Sequence, residues 1–100
     1  MKKNNTTMIK AEIVETISQR TGIEKGVVKL TVETFMESVI ESLVNDDDVR
    51  LRGFGNFVVK KRAEKNFHAA PGKWILIPEH NEPFFKPCDE FKELVKSNIK

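Results

Sequence analysis

A Pro-Gly pair between two β-type runs constrains the fold of this chain more than any other feature. In Ala70-Pro71-Gly72-Lys73, proline presets φ and glycine tolerates φ > 0, as positions i+1 and i+2 of a type II turn require. A basic segment, 60–67, precedes this turn, and the apolar run Trp74-Ile75-Leu76-Ile77 follows it. The sequence therefore predicts a β-ribbon over about residues 60–77 that reverses at residues 70–73.

Helical periodicity dominates the first half of the chain. Apolar residues at three- and four-residue spacing predict amphipathic helices over about 9–21, ended by Gly22, and over about 24–44. The apolar stripe of the second helix is wider than one short helix covers, which indicates that a second subunit packs against it. A short helix is predicted over 89–96 by the spacing of Phe91, Leu94 and Val95.

The second half reads mainly as strands. Val49-Arg50-Leu51-Arg52 alternates apolar and basic residues like a half-buried strand, Gly53-Phe54-Gly55-Asn56 supplies turn chemistry, and Phe57-Val58-Val59 resumes the β pattern as a hairpin. Residues 79–83 are interpreted as a polar loop, and 84–86 as a short aromatic strand that Pro87 stops. The predicted fold class is α+β: two N-terminal helices, a three-stranded antiparallel sheet with an extended β-ribbon arm, and a short C-terminal helix.

Composition limits the possible functions. A chain of 100 residues with 39% hydrophobic and 32% charged content is compatible with one packed domain. Cys88 is the only cysteine, so it is interpreted as a structural residue in a reducing compartment. No run predicts a membrane span, and Asp46-Asp47-Asp48 is interpreted as a solvated connector rather than a cation site. No catalytic set, metal site or cofactor motif is found, so an enzyme with a small-molecule substrate is not expected.

The basic charge is concentrated on the predicted arm. Net charge is only +2, but residues 58–78 hold five basic residues against Glu64, a net of +4, which leaves about −2 for the remainder. Such a local excess favours a polyanionic partner. The alternative is that these lysines only keep an exposed hairpin soluble.

Three strings together resemble the HU/IHF family of bacterial DNA-bending proteins. They are Leu51-Arg52-Gly53-Phe54-Gly55-Asn56-Phe57-Val58-Val59-Lys60-Lys61-Arg62-Ala63, Ile77-Pro78 after the arm, and Phe85-Lys86-Pro87. The resemblance implies an intertwined dimer, a homodimer or a heterodimer with a paralogue, whose two β-arms enter the minor groove of double-stranded DNA. It also implies a cytoplasmic, nucleoid-associated protein. The predicted organisation is a flexible extension, 1–8, followed by the DNA-binding domain, 9–100.

Eight residues are candidates for DNA contact on this resemblance, and three more form the arm tip. In the family, basic arm residues contact phosphates and a tip proline wedges between base pairs. For Lys10 an ordinary surface lysine is an equal alternative, and for His68 the contact would be a weak, pH-dependent one. The contact residues are Lys10, Lys60, Lys61, Arg62, Lys65, His68, Lys73 and Lys86, and the tip residues are Ala70, Pro71 and Gly72.

The tip departs from the family pattern. Where the family usually has Arg-Asn-Pro-x-x-Gly, this chain has His68-Ala69-Ala70-Pro71-Gly72, one residue shorter. Strict alignment places Ala70 at the wedge position, whereas shifting the gap by one places Pro71 there. The loss of the arginines weakens the expected minor-groove insertion, because arginine is preferred there.

The aromatic residues have two interpretations. Phe54, Phe57, Phe84 and Phe85 could stack on bases, but their β context beside glycines and a proline favours core and dimer-interface packing. Phe67 and Trp74 lie in the arm, where they are expected to form a cross-strand pair; a wedge role for Phe67 is an alternative.

Three functions remain open. The first is architectural, largely sequence-independent binding and bending of duplex DNA. The second is site-specific bending of the integration host factor kind, in which DNA deformability supplies specificity. The third, from a different class, is a structural or protein-interaction dimer with eroded DNA binding.

Overall fold

The computed structural model describes residues 6–98, which belong to two compact units. Residues 1–5 of the predicted flexible extension lie outside the described residues, and residues 6–9 precede the first helix without regular structure. The helices are α1 (Lys10–Thr21), α2 (Lys25–Val44) and α3 (Asp89–Lys96). The strands are β1 (Val49–Leu51), β2 (Gly55–Arg62), β3 (Lys65–Ala70), β4 (Lys73–Ile77) and β5 (His80–Pro87).

Helix α1 and the first part of α2, through Ser38, form the N-terminal unit. At the start of α1 the Glu12 carboxylate accepts a hydrogen bond from the Ile9 N–H at 3.1 Å, which satisfies one free backbone donor. At its end Gly22 adopts φ +78° and donates its N–H to the Ser18 carbonyl at 2.8 Å, as predicted for the helix stop. The pattern-based prediction of both helices is confirmed.

The C-terminal unit begins at Val39 and contains both sheets. In the three-stranded sheet the order is β1-β2-β5, all antiparallel, and β3 and β4 form a separate two-stranded sheet. The predicted α+β class, with a three-stranded sheet, a two-stranded arm and a short final helix, is confirmed. Within residues 6–98, no helix combines the length and apolar character that crossing a membrane requires.

Helix α2 ends in a cap built without glycine. The Asp47 N–H donates to the Ser42 carbonyl at 2.8 Å and the Asp46 N–H to the Leu43 carbonyl at 3.0 Å, which is the Schellman arrangement. Asp46 takes the left-handed conformation this requires, with φ +67°. The acidic run is therefore a helix cap and connector.

Two local predictions were wrong. The first hairpin turns at residues 51–54, where the Phe54 N–H donates to the Leu51 carbonyl at 3.0 Å and Gly53 has φ +82°, so Gly55 already belongs to β2. The predicted loop at 79–83 is largely strand, because β5 begins at His80 and pairs along its full length with β2. Pro83 is tolerated because β5 is an edge strand, where a missing N–H disturbs no second partner.

Four aromatic rings form the packed side of the three-stranded sheet. Phe57 and Phe85 are cross-strand partners with ring centroids 4.9 Å apart, and Phe54 stacks on Phe91 of α3 at 5.5 Å. Phe54 also lies 5.0 Å from Phe85, so the cluster joins the turn, both strands and α3.

Gly55 fits beneath this cluster because it has no side chain. It is buried, and a Cβ there would lie 2.5 Å from the Lys86 carbonyl oxygen and 2.7 Å from the Phe85 ring. The first of these neighbours is backbone, so relief requires β2 and β5 to separate.

The arm continues β2 and β5 without a change of register. Arg62 pairs with His80, and Lys65 pairs with Ile77, which is three residues farther along on both strands. The ladder is interrupted between these pairs, where Pro78 lacks an N–H. A register shift occurs only between His68 and Ala70, just before the turn.

We expect Gly55→Ala to lower the free energy of unfolding by about 1–3 kcal/mol, because the added methyl overpacks the contact between β2 and β5. Gly26→Ala is the matched control, since a Cβ there meets nothing within 4 Å and alanine favours the helix. Urea unfolding followed by circular dichroism measures both. Equal stability of Gly55→Ala and the wild type would contradict the close packing described above.

Candidate nucleic-acid interface

The solvent-facing side of the three-stranded sheet carries a row of basic residues. Because directly paired residues share a face, Arg50, Asn56 and Lys86 form one line across β1, β2 and β5. Lys60 and Arg62 follow on the same face of β2, opposite to the face of Phe57. All four basic side chains are exposed. We call Arg50, Lys60, Arg62 and Lys86 the basic face.

Phe84 supports the basic face. It pairs with Val58 on that face and is only partly exposed, with the Lys60 Nζ 5.0 Å and the Arg62 Cζ 4.8 Å from its ring centroid. Each such contact contributes about 0.5–1 kcal/mol at an exposed site. Alternation along β5 turns Phe84 and Phe85 to opposite faces, so the core packing predicted for Phe84 with Phe54, Phe57 and Phe85 is wrong, and packing at a dimer interface stays a prediction.

Acidic residues at the base of the arm pair with part of its positive charge. The Arg62 Nε donates to the Glu82 Oε1 at 3.1 Å, and the Lys61 Nζ forms an ion pair with the Glu79 Oε2 at 3.1 Å. Lys61 also lies on the face opposite to Lys60 and Arg62. When Glu79 and Glu82 are included, residues 58–82 carry five basic and three acidic groups, so the net charge of the ribbon falls to +2.

His80 and Glu82 form a titrating pair within this network. The His80 ring lies between two oxygens at 2.8 Å, the Pro78 carbonyl on the Nδ1 side and the Glu82 carboxylate on the Nε2 side. Both contacts favour the doubly protonated ring, so the pKa of His80 is raised, mainly through the Pro78 carbonyl and then through Glu82. The pKa of Glu82 is lowered, first by the hydrogen bond with His80 and then by that with Arg62.

The outer arm is exposed along its whole length except at Ile77, and it is partly aromatic. Lys65 opens β3 opposite Ile77, and Lys73 opens β4 opposite Ala70. Trp74 pairs with His68 and stacks on it, with ring centroids 4.4 Å apart and planes 15° apart. The predicted pairing of Phe67 with Trp74 was wrong, since Phe67 lies opposite Ile75 on the other face.

The tip has the predicted turn geometry. Gly72 has φ +74°, as position i+2 of a type II turn requires, and Pro71 occupies the position before it. Ala70 is the last residue of β3 and pairs with Lys73. Pro71 and Gly72 are therefore the outermost residues of the arm, and Ala70 lies behind them.

Lys10 lies in the N-terminal unit. It is the first residue of α1, and its Nζ donates to the Glu33 Oε2 of α2 at 2.8 Å. This hydrogen bond is the main reason that the pKa of Glu33 is lowered. The Lys10 side chain is exposed but already paired with Glu33, so a phosphate that bound it would compete with this carboxylate.

Three residues of this surface were not among the sequence-based candidates. The alternation of β1 predicts that Arg50 points outward, but its position in line with Lys86 across the sheet depends on strand order. Phe84 and Trp74 stand out in the sequence as aromatic residues, but their contacts with Lys60, Arg62 and His68 follow from cross-strand pairing. Among residues 6–98 there is no group of three or more His, Cys, Asp or Glu side chains placed to hold a metal ion.

The His80–Glu82 pair makes the stability of the arm base depend on pH. Because the pKa of His80 is raised in the folded protein, protonated His80 stabilises the fold below pH 6.5, the ordinary pKa of histidine. This stabilisation is lost as the pH rises through the pKa of His80 in the folded state. Because the pKa of Glu82 is lowered, ionised Glu82 stabilises the fold above pH 4.5, and this stabilisation is lost as the pH falls through the pKa of Glu82 in the folded state. We expect the pair to be strongest between about pH 4.5 and 6.5.

An NMR titration of the His80 ring measures this directly. The midpoint should lie above 6.5 in the wild type and should fall in Glu82→Gln. Glu79→Gln is the matched control, because it removes a neighbouring carboxylate that pairs with Lys61 instead. A midpoint that Glu82→Gln leaves unchanged would show that the carboxylate does not act on the ring.

Comparison with known proteins agrees with this geometry. The family model described as bacterial DNA-binding protein matches residues 8–96. The DNA-binding protein HU of Thermotoga maritima is 38% identical over 90 residues, covering 89% of this chain and 100% of that protein. Integration host factor subunit alpha of Actinobacillus pleuropneumoniae is 31% identical over 94 residues, covering 93% and 95%. An Anabaena HU–DNA cocrystal structure matches with a TM-score of 0.84 at 25% identity, covering 90% and 99%. Because the match runs through the helices, both sheets and the arm, the chain belongs to the bacterial DNA-binding protein family of HU and integration host factor.

Proposed function

We propose that this protein is a non-catalytic architectural protein that binds and bends double-stranded DNA, largely independently of sequence. The observation that carries the proposal is the basic face, which places Arg50, Lys60, Arg62 and Lys86 on one solvent-exposed side of a sheet whose ribbon projects onward as an arm. Contacts of this kind bind phosphates and fix the position of a duplex without reading bases. The Anabaena HU structure, a cocrystal with DNA, supports the same use of the fold.

The division of charge along the ribbon assigns different roles to its basic residues. Lys60, Lys65, Lys73 and Lys86 have no ion-pair partner among residues 6–98 and offer free ammonium groups to phosphate. Lys61 and Arg62 each share a carboxylate, and Lys10 shares Glu33. Surface ion pairs are worth about 0–1 kcal/mol, so a phosphate can displace them. His68 is assigned to the tip contact, and Lys10 to a peripheral one.

The working unit is a dimer in this proposal. Only Val14, Val28 and Val39 are buried apolar residues among residues 6–98, while Leu30, Ile40 and Val44 are 65%, 61% and 78% exposed on α2. Within the C-terminal unit, the end of α2 also borders an apolar groove with Val59 and Pro83. A second subunit would cover these surfaces, as predicted from the wide apolar stripe. A second copy of this chain suffices; a paralogue would fit equally in chemistry.

Pro71 is proposed as the wedge residue. It lies at the apex of the arm, and its rigid ring could enter a base step, whereas Ala70 is held back in the last strand pair. This choice resolves the two alignments in favour of Pro71. Residues 9–100 form the DNA-binding domain in this proposal, with the extension 1–8 outside it, and a nucleoid-associated location in the cytoplasm follows from the activity.

Site-specific bending is the second candidate, because the integration host factor subunit aligns over 94 residues. The basic face fits either candidate, since phosphate contacts carry no sequence information directly and the specificity of the second would come from DNA deformability. A structural dimer without DNA binding has no specific observation in its favour.

We expect the triple substitution Lys60→Ala, Arg62→Ala, Lys65→Ala to weaken binding of random duplex DNA at low salt. The slope of log affinity against log salt should become shallower by about 0.9 for each phosphate that the variant no longer neutralises. Fluorescence anisotropy with a labelled duplex, repeated at several salt concentrations, gives both quantities.

The matched control is Lys25→Ala, Lys92→Ala, Lys96→Ala, which removes the same charge outside the ribbon. Sedimentation should show that both variants keep the assembly state of the wild type. Equal slopes for the two triple variants would refute a role for the basic arm, and failure of the wild type to bind duplex DNA at low salt would refute the function itself.

Pro71→Ala should reduce bending more than affinity, because phosphate contacts elsewhere on the ribbon are retained. Energy transfer between dyes at the two ends of a duplex measures the bend at saturating protein. Ala70→Gly is the control at the alternative wedge position. A larger loss of bending in Ala70→Gly than in Pro71→Ala would assign the wedge to residue 70.

A further inference from the structure

Trp74 is exposed where the fold gives no structural reason for a large aromatic residue. It is the only tryptophan in the chain, it lies in a two-stranded ribbon without a core, and it is 64% exposed. Exposed edge strands are usually protected by charged side chains, proline or bulges, and a large exposed aromatic ring gives no such protection. The indole is therefore a candidate for contact with a partner.

The His68 ring orients the indole. The two rings are 4.4 Å apart and nearly parallel, so one face of the indole is covered by imidazole. His68 is the ring that stacks on the indole within residues 6–98, and Trp74 is still 64% exposed, so much of the indole remains accessible to a flat partner. The pair is the second cross-strand pair from the tip, behind Ala70 and Lys73.

We propose that the accessible face of Trp74 stacks on a base at an interrupted or opened step of duplex DNA, with His68 as the positioning residue behind it. This inference rests on the proposed function. Charge complementarity selects nucleic acid as the occupant, since the arm carries the exposed Lys65 and Lys73 on its other face and its unchanged register puts Trp74 on the side of Lys60 and Arg62. Every base offers a π-face, so the contact is independent of sequence.

The location explains why an opened step is needed. In an intact duplex the base faces are covered by their neighbours, and only a kink or a gap exposes one. Pro71 at the apex would open or hold such a step, and Trp74 lies on the return strand three residues later. Stacking then contributes selectively to distorted DNA, while the basic face contributes to any duplex.

The test compares an intact duplex with the same duplex carrying a central single-nucleotide gap. Anisotropy gives the affinity for each, and the emission of the single tryptophan reports on the indole itself. We expect gapped DNA to quench the emission and to shield the indole from acrylamide. Trp74→Leu should lose about 5- to 150-fold in affinity for gapped DNA and little for intact DNA, and Trp74→Phe should restore part of the difference.

Phe67→Leu is the matched control, because it removes a comparably exposed aromatic residue, 50% accessible, from the opposite face of the arm. Circular dichroism checks that each variant retains its fold. The inference is overturned if Phe67→Leu loses the gap preference to the same extent, or if Trp74→Leu retains it. It is also overturned if the wild type binds both DNAs with unchanged tryptophan emission, a result that leaves the proposed function intact. If the wild type binds neither DNA at low salt, the proposed function fails first.

Discussion

The antiparallel register between β2 and β5 is the constraint on which the rest of the interface depends. Because side chains alternate between faces, a slip of one residue would turn Lys60 and Arg62 toward the aromatic cluster and Phe57 toward solvent. Gly55 opposes this slip, since only a residue without Cβ fits against the Lys86 carbonyl and the Phe85 ring. The register continues unchanged into β3 and β4, so the same packing that fixes the sheet also fixes which faces the arm presents.

The parts of this structure that could be predicted are those determined by local chemistry. Helix periodicity located α1 and α2, Gly22 located a helix end, and Pro71-Gly72 located the arm reversal, because each depends on residues within a few positions. The errors concern pairing. Residues 80–83 were interpreted as a loop because they are polar and contain proline, but an edge strand next to the long β2 accepts both. The predicted neighbours of Phe84 and Trp74 were wrong, because the partner strand decides which residue lies opposite each of them.

The candidate site shows the same division. The sequence shows the basic residues of the arm, but it does not show which of them form ion pairs in the folded protein. Glu79 and Glu82 lie just beyond the basic segment 58–78, and folding places them beside Lys61 and Arg62. Arg50 could not be assigned to the site before strand order put it in line with Lys86. The field that a polyanion meets is thus set by the sheet as much as by the arm.

An arm with fewer tip arginines than its family pattern still has a consistent physical logic. Arginine binds the minor groove through charge, which acts on any phosphate-lined surface, whereas a stacked aromatic pair acts only where a base face is exposed. Replacing the first by the second leaves the electrostatic attraction mainly to the basic face. In the proposed stacking, the tip then responds to whether a base face is exposed. Phe84 strengthens this arrangement by holding Lys60 and Arg62 over its ring at the base of the arm. On the proposed stacking, the loss of tip charge therefore alters which DNA the arm discriminates more than whether the protein binds DNA.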